Sequence, residues 1–263
     1  MAILTQHDQG TMCWPELGTT NPAAAKKFYA ALFGWGIEDV PMGDQGTYTL
    51  FKLKGKDCAA MYELKPEMIK QGVPPHWGNY ISMKNVDEAA KKTKELGGKV
   101  IMEPFDVMTL GRMTVIQDPT GATINLWQAK DSPGAGILDE PGALCWTELL
   151  TTDVARARTF YTSLIGWNPN DMPMAQGGTY TVFQRAGGVN AAGMMLMPDQ
   201  MKGAPPNWTT YFQTADIQKT TADVTKLGGK VMMPPTPIPN IGSFAVYLDP
   251  QGAPFCTLEM LKK

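Results

Sequence analysis

Two stretches of the sequence repeat each other and decide the fold. Residues 13–35 read CWPELGTTNPAAAKKFYAALFGW, and residues 145–167 read CWTELLTTDVARARTFYTSLIGW. Each stretch places a tryptophan and a glutamate two residues apart in a short apolar run, directly before a helix-like segment. Because an internal repeat reveals the architecture of a chain, the two copies predict two homologous units.

The repeat continues through the rest of both units. The further paired positions are Trp77 and Trp208, Gly97–Gly98 and Gly228–Gly229, and Asp118–Pro119 and Asp249–Pro250. We predict one domain in residues 1–130 and a second domain in residues 141–263. The segment between them, residues 131–140, is rich in glycine, proline and aspartate, which is typical of a linker.

Each domain divides into two modules that begin with a strand and a helix. Asn21 suits the N-cap of the first helix, Pro22 suits its first turn, and Gly97–Gly98 is expected to end the second helix. Together these patterns predict an α+β protein of four tandem βαβββ modules. In the first domain the predicted strands are residues 12–17, 47–53, 57–64, 76–83, 99–103, 112–118 and 122–128, and the predicted helices are residues 21–35 and 86–98.

Strand alternation assigns the repeated glutamate to one face of its sheet. Successive side chains of a strand point to opposite faces, so Trp14 and Glu16 share one face while Cys13 and Leu17 share the other. The apolar face suits contact with a helix. An aromatic ring beside an acid favours a concave, partly hydrated pocket. A solvent-facing Glu16 with Trp14 packed beside it is the alternative.

Composition narrows the classes of partner. The 263 residues carry a net charge of −2 and no dense basic run, which argues against nucleic acid or an anionic membrane as a partner. No signal peptide or membrane span is visible, and the four cysteines show no CxxC spacing, so we expect a reduced, cytoplasmic protein. A small molecule is the expected partner. The chain is expected to be a monomer with an internal pseudo-dimer, or a homodimer.

The combination of motifs resembles the vicinal oxygen chelate superfamily, which includes glyoxalases, bleomycin-resistance proteins and extradiol dioxygenases. The resemblance rests on TTNPAAAKKFYAALFGW and TTDVARARTFYTSLIGW, on VDEAAKKTKELGGKV and DIQKTTADVTKLGGKV, and on DPTGATINLWQ and DPQGAPFCTLEM. It covers nearly the whole chain and is strongest to two-domain bacterial proteins described as glyoxalase-like. It implies that paired modules form two half-open barrel domains, each around a cavity.

The resemblance also implies where a metal ion would sit. In metal-dependent members, histidine and glutamate side chains from the first and last strands of each module hold a divalent ion. Trp14 and Trp146 stand at the first histidine position, and Asn125 and Cys256 stand where the last glutamate is expected. Neither Gly78–Asn79 nor Thr209–Thr210 supplies the histidine that opens the second module.

We therefore expect no metal ion and no other cofactor in either domain. A divalent ion held by Glu16 and His76 in the first domain is the alternative, because a carboxylate and an imidazole are both metal ligands. The repeat has Asn207 in place of His76, so that site would exist once. A histidine that caps the proline-rich loop is the simpler interpretation of His76.

The candidate catalytic residues are Glu16 and Glu148, because an acid in an apolar niche has a raised pKa and suits proton transfer. The candidate ligand-binding residues are expected to face the cavities. Arg112 would supply a cation in the first domain only, or it caps a strand edge; Gln128 would add an amide contact. The full set of candidate ligand-binding residues is Trp14, Tyr80, Arg112, Asn125, Trp146 and Tyr211.

Two functions fit these residues. The first is a glyoxalase-like detoxifying or modifying enzyme that moves a proton next to a carbonyl group. The second is a metal-free protein that sequesters an aromatic drug or metabolite on Trp14 and Trp146. In either case the second domain could be purely structural, because it lacks counterparts of Arg112 and His76.

Overall fold

The computed structural model describes residues 4–174, 177–201 and 203–261. The first domain contains β1 (Met12–Thr19), α1 (Pro22–Phe33), β2 (Gly36–Pro41), β3 (Thr47–Leu53), β4 (Lys56–Glu63), α2 (Pro66–Lys70), β5 (His76–Ser82), α3 (Val86–Glu95), β6 (Lys99–Val107), β7 (Gly111–Gln117) and β8 (Thr123–Ala129). The second contains β9 (Leu144–Thr151), α4 (Val154–Ile165), β10 (Asn168–Pro173), β11 (Thr179–Arg185), β12 (Val189–Leu196), β13 (Asn207–Gln213), α5 (Ile217–Lys226), β14 (Lys230–Ile238), β15 (Gly242–Leu248) and β16 (Pro254–Met260). None of the helices in these ranges is long and apolar enough to cross a membrane.

Each domain is built on one eight-stranded sheet, which confirms the predicted α+β fold. The order in the first sheet is β2-β3-β4-β1-β5-β8-β7-β6, and the second sheet repeats it as β10-β11-β12-β9-β13-β16-β15-β14. The two modules of a domain join where β1 runs antiparallel to β5. Inside each module the first and last strands are parallel. The outer strands β2 and β6 do not pair with each other, so the barrel is half open.

The four longer helices, α1, α3, α4 and α5, occupy one face of each sheet and pack between the two domains. One hydrophobic core joins the second module of the first domain to the first module of the second domain. The other core joins the two remaining modules. Accordingly α1 contacts α5, and α3 contacts α4. The opposite face of each sheet is not covered by these helices, and most of the candidate functional residues lie there.

Two matched hydrogen bonds link the domains inside these cores. The hydroxyl of Tyr29 donates to Asp249 Oδ2 at 3.1 Å, and the hydroxyl of Tyr161 donates to Asp118 Oδ2 at 2.9 Å. Each tyrosine comes from a first-module helix, and each aspartate comes from the Asp-Pro turn of the other domain. Two motifs of the repeat therefore meet across the domain interface.

The predicted helix caps are confirmed. Asn21 accepts a hydrogen bond of 3.1 Å from the Ala24 amide, which satisfies a free N–H of the first turn. Gly97 follows α3 in the left-handed conformation with φ of 79°, and the Gly98 amide donates to the Thr93 carbonyl at 2.9 Å. Gly34, with φ of 70°, ends α1 at Phe33, two residues before the predicted end of that helix. Two strands were missed by the sequence analysis, β2 and β10. Their side chains are almost all exposed, so they carry no apolar alternation.

A β-bulge corrects the predicted faces of the opening strand. The pairing of β1 with β5 shifts register between Met12 and Trp14, so Cys13 is the extra residue. Cys13 consequently packs with Tyr80 and Trp127 on the site face. The prediction that Cys13 shares the helix-facing side with Leu17 is wrong, whereas Leu17 does lie in the core beneath α1.

Candidate functional site

The site of the first domain lies on the sheet face that the helices leave uncovered. Trp14 and Tyr80 are directly paired across β1 and β5, and Tyr80 is paired in turn with Asn125 of β8. Residues directly opposite each other in a sheet point to the same face, so these side chains are neighbours of Glu16. The structure thus brings together Trp14, Glu16, Tyr80 and Asn125, as the sequence predicted.

Two tyrosine hydroxyls hold the Glu16 carboxyl. The Tyr48 hydroxyl donates to Oε1 at 2.6 Å, and the Tyr80 hydroxyl donates to Oε2 at 2.8 Å. The indole N–H of Trp14 lies 3.4 Å from the Tyr48 hydroxyl oxygen and donates to it. Because Tyr48 accepts from Trp14, its own proton is directed to the carboxyl. The result is a short chain of donors that ends on Glu16.

Burial sets the protonation of this group. Desolvation raises the pKa of Glu16 above its usual value, and the hydrogen bonds from Tyr48 and Tyr80 oppose that rise. Burial and the nearby carboxyl together raise the pKa of Tyr48 and of Tyr80 well above the ordinary tyrosine value. Both tyrosines therefore remain protonated donors, while Glu16 is the group that can gain or lose a proton.

Aromatic and apolar side chains form the rest of the wall. Trp127 meets the Tyr80 ring edge to face, with ring centres 6.4 Å apart. Val107 and Met113 pack against the same cluster. The amide nitrogen of Asn125 lies beside Gly78, where an added Cβ would come within 3.1 Å of it. A ligand in this space would meet apolar walls, one amide and one acid.

The second domain repeats the arrangement with altered details. Burial raises the pKa of Glu148, which is 9% exposed, and hydrogen bonds from Tyr180 and Tyr211 oppose the rise. The Tyr211 hydroxyl lies 3.1 Å from Glu148 Oε1, and the Trp146 indole donates to the Tyr180 hydroxyl at 2.9 Å. At the place of Asn125, Tyr211 is paired with Cys256. This wall therefore carries a thiol in place of an amide.

A glycine makes room for the second copy of the network. A Cβ added to Gly193 would lie 1.9 Å from the Tyr180 hydroxyl oxygen and 2.9 Å from the Trp146 indole nitrogen. Gly193 is paired with Glu148, as Ala60 is paired with Glu16 in the first domain. With Tyr180 and Trp146 in their present positions, a Cβ at 193 would overlap the Tyr180 hydroxyl, so the second copy of the network is built around a glycine where the first has Ala60.

The structure corrects two candidate ligand contacts. Arg112 forms a two-pronged ion pair with Asp87 of α3, with both N···O distances 2.8 Å, and a further pair with Asp106 at 3.3 Å. It therefore lies on the helix side, because Met113 and not Arg112 points to the site, and the prediction of an inward cation is wrong. Gln128 accepts a hydrogen bond from the Val86 amide and caps α3, so it adds no amide contact to the site.

Two tyrosines that contact the site glutamates, Tyr48 and Tyr180, were not among the predicted site residues. Tyr48 lies in the predicted strand 47–53, and neither tyrosine was assigned a role. Alternation along TYTLFKL and TYTVFQR puts each tyrosine on the face opposite the buried phenylalanine, which is the signal that was available. Contact with Glu16 depends on β3 and β4 folding back beside β1, which a single strand pattern does not reveal.

The donors present do not fit the divalent ion that the resemblance implies. Both oxygens of Glu16 already accept tyrosine protons. His76 lies on the same face near Gly18, but its Nδ1 is 2.8 Å from the Pro74 carbonyl, which fixes the ring on its own loop. Within the described part of the chain, no three histidine, cysteine, aspartate or glutamate side chains are grouped as a metal site needs. Trp14 stands where the family has its first histidine ligand, and Asn125 stands where the family has its last glutamate ligand.

Comparison with known proteins agrees with this architecture. The model of the Glyoxalase/Bleomycin resistance protein/Dioxygenase superfamily matches residues 12–126 and 143–257. A Mycobacterium bovis protein named "Putative glyoxylase CFP32" is 41% identical over 256 residues, which is 97% of each chain. The Streptomyces peucetius "Anthracycline biosynthesis protein DnrV" is 34% identical over 268 residues, covering 98% of this chain and 96% of that protein.

Solved structures share the fold at low sequence identity. The Mn(II)-bound glyoxalase from Novosphingobium aromaticivorans superposes with a TM-score of 0.67 at 14% identity, covering 97% of this chain and 83% of that one. The 2,3-dioxygenase LapB from Pseudomonas sp. KL28 superposes with a TM-score of 0.64 at 15% identity, covering 98% and 93%. These likenesses concern the fold alone.

Proposed function

Because the chain belongs to the glyoxalase, bleomycin resistance protein and dioxygenase superfamily, we propose that it is a glyoxalase-like enzyme that moves a proton next to a carbonyl group without a metal ion. The observation that supports this most is the Glu16 carboxyl, held between Tyr48 and Tyr80 on an aromatic-walled face. Glu16 is the proposed general base and acid.

The protonation of the network suits this role. A general base works best when its pKa is close to the working pH, and burial moves the pKa of Glu16 upward toward that range. The ionised carboxyl takes a proton from the carbon next to the substrate carbonyl, which leaves an enolate. Where that carbon bears a hydroxyl, as in the thiol adduct of a ketoaldehyde, the same carboxyl then returns the proton to the former carbonyl carbon. The hydroxyl proton passes to the former carbonyl oxygen, so the carbonyl group moves by one carbon. The reaction is an isomerisation and needs no further reactant.

The developing charge on the substrate oxygen needs a donor. The Asn125 amide nitrogen, next to Gly78, is available on the same face, and a preorganised donor of this kind stabilises an enolate oxygen. Cys256 stands at the matching position of the second domain, and burial raises its pKa well above the ordinary thiol value. A buried thiol is a weak donor. We therefore assign the reaction to the first domain.

The test is an activity comparison between Glu16→Gln and the matched variant Glu148→Gln. Both substitutions keep the shape of the side chain and remove the titratable group. A panel of ketoaldehydes, their thiol adducts and aromatic ketones is assayed with chelator-treated protein. Loss of a general base is expected to lower the rate about 100-fold or more in Glu16→Gln, with Glu148→Gln close to wild type. Full activity in Glu16→Gln would remove the proposed role.

A second candidate function is sequestration of an aromatic compound. It is favoured by Trp14, whose indole stands at the first histidine position and lines the site with Trp127. A tryptophan fluorescence titration with aromatic ketones, with Trp14→Ala as comparison, detects such binding. Tight binding without any product would favour this candidate over the enzyme. The absence of quenching by every compound would count against it.

A further inference from the structure

A row of three residues crosses the first sheet beside Glu16 and takes no part in the proposed proton transfer. Gly18 of β1 is paired with Tyr62 of β4 on one side and with His76 of β5 on the other. Because Gly18 follows Glu16 by two residues, the row belongs to the same face of the sheet and lies about 7 Å further along the strand. A ligand that contacts Glu16 can therefore extend to this row.

The side chains of Tyr62 and His76 meet over Gly18. A Cβ added to Gly18 would lie 3.0 Å from the Tyr62 hydroxyl oxygen and 3.0 Å from Cε1 of His76, with the end of Leu64 at the same distance. The place that a side chain at residue 18 would take is thus held by these three side-chain ends. A hydroxyl and an imidazole are neighbours on the site wall.

Each of the two polar groups keeps a hydrogen-bonding atom for a ligand. Nδ1 of His76 lies 2.8 Å from the Pro74 carbonyl, which can only accept, so Nδ1 donates and Nε2 is an acceptor in the neutral ring. Burial, followed by the charge of Glu16, raises the pKa of Tyr62, so its hydroxyl keeps its proton. Both residues are half-buried, and among the described residues neither the Tyr62 hydroxyl nor Nε2 has a hydrogen-bond partner.

The second domain fills the matching row with apolar side chains. Leu150 takes the place of Gly18 and is paired with Met195, the counterpart of Tyr62. Leu150 is 8% exposed. Glu148 is buried as well, whereas the glutamate of the first domain is half-buried. The polar row is therefore found in the domain to which the proton transfer is assigned.

The loop contact of His76 does not by itself require a histidine. Asn207 is its counterpart in the second domain, and Nδ2 of Asn207 donates to the Pro205 carbonyl at 3.1 Å. An asparagine thus makes the same loop contact. The histidine adds Nε2, which is bonded to the Cε1 atom that lies over Gly18.

We propose that Tyr62 and His76 bind a hydroxyl group of the substrate, and that the substrate is an aromatic ketone or ketoaldehyde with a phenolic hydroxyl. This proposal rests on the proton transfer proposed for Glu16. The Tyr62 hydroxyl donates to the phenol oxygen, and the phenol donates to Nε2 of His76. An aromatic ring with a carbonyl group and a hydroxyl group at opposite ends spans about the separation between Glu16 and the row. The ring suits the aromatic wall that includes Trp14 and Trp127.

Binding of three related ketones tests the recognition of the hydroxyl group without turnover. 4-Hydroxyacetophenone, 4-methoxyacetophenone and acetophenone are titrated into the full chain by isothermal titration calorimetry. Wild type should bind the hydroxy compound about fivefold or more tightly than either of the others, because two hydrogen bonds are gained. Tyr62→Phe should weaken binding of the hydroxy compound about three- to tenfold and leave acetophenone within about twofold of wild type.

Two further variants separate recognition from loop structure. His76→Asn removes Nε2 and keeps a loop donor, as Asn207 does in the second domain. It should weaken binding of 4-hydroxyacetophenone about three- to tenfold and unfold at the same temperature as wild type. Met195→Leu, at the matching row of the second domain, is the control and should bind all three ketones as wild type does.

The binding measurements and the activity assays can fail separately. A reduced preference for the hydroxy compound in both Tyr62→Phe and His76→Asn supports the hydroxyl site, even where no proton transfer is detected. The proposal is overturned if wild type binds 4-hydroxyacetophenone no more tightly than 4-methoxyacetophenone, or if either variant keeps the wild-type preference. An equal loss in Met195→Leu would overturn it too. Turnover of ketoaldehydes with an unchanged preference would support the proton transfer and reject the hydroxyl site.

Discussion

The Tyr48 hydroxyl donates a hydrogen bond of 2.6 Å to Oε1 of Glu16. The indole of Trp14 donates to the same hydroxyl, so the direction of this bond is fixed. Burial raises the pKa of the Glu16 carboxyl, and the hydrogen bond from Tyr48 lowers it. The pKa of Glu16 is a balance between its surroundings and two specific tyrosines.

Removing the Tyr48 hydroxyl should shift that balance. In Tyr48→Phe the pKa of Glu16 should rise further, and the free energy of unfolding should fall by about 1–2 kcal/mol because a buried hydrogen bond is lost. Carbon-detected NMR of the glutamate carboxyl measures the pKa directly. Tyr180→Phe is the matched control, which should move Glu148 and leave Glu16 unchanged. An unaltered Glu16 titration in Tyr48→Phe would contradict the hydrogen-bond assignment.

The raised pKa values predict how stability depends on pH. Glu16 and Glu148 hold their protons in the folded chain at pH values where the unfolded chain has released them. Their contribution is therefore fully present below the unfolded pKa, about 4.3, and is lost as pH rises through the folded values. Each unit by which folding raises a pKa corresponds to about 1.4 kcal/mol.

The double variant Glu16→Gln, Glu148→Gln lacks both titrations and tests this dependence. Urea unfolding at several pH values between about 4 and 8 gives the difference in free energy between wild type and variant. As pH rises, the free energy of unfolding of wild type should fall relative to that of the variant, because glutamine stays neutral throughout. A difference that does not vary with pH would show that the two carboxyls have ordinary pKa values in the folded chain.

The domain interface gives a prediction about stability alone. Tyr29 donates to Asp249 and accepts from the Trp77 indole at 2.9 Å. Tyr29→Phe leaves both buried groups without this partner, and the free energy of unfolding should fall by about 2 kcal/mol or more. Tyr161→Phe should cost a similar amount. Tyr62 of β4, which is paired with Gly18 of β1 on the site face, supplies the comparison, and Tyr62→Phe should cost less. Equal losses of unfolding free energy in all three variants would show that the interface hydrogen bonds add no more stability than the hydroxyl of Tyr62.

The repeat made the fold predictable from sequence. The helix signatures and the Asp-Pro turns indicate the module order, and the predicted caps at Asn21 and at Gly97–Gly98 are confirmed. The outer strands β2 and β10 were missed, because an edge strand exposed on both faces needs no apolar pattern. The bulge at Cys13 was also missed. One added residue reverses which face of the sheet the neighbouring side chains point to, and no sequence pattern signals it here.

Part of the site was predictable from the sequence. Trp14, Glu16, Tyr80 and Asn125 meet because they lie on adjacent strands in matching positions. Arg112 was misplaced because the carboxyls that attract it come close only in the folded chain: Asp87 when α3 packs on the sheet, and Asp106 when β6 pairs with β7. Tyr48 was missed because its contact with Glu16 depends on tertiary packing of β3 and β4.

Glu16 is proposed to act as a proton-transfer group and not as a metal ligand. Elemental analysis of protein purified without chelator, before and after dialysis against Mn²⁺, Fe²⁺, Zn²⁺ and Ni²⁺, tests this most directly. Wild type and Glu16→Gln should each hold less than about one-tenth of an ion per chain, because both carboxyl oxygens already accept tyrosine protons. One tightly held ion per chain that disappears in Glu16→Gln would show instead that Glu16 is a metal ligand.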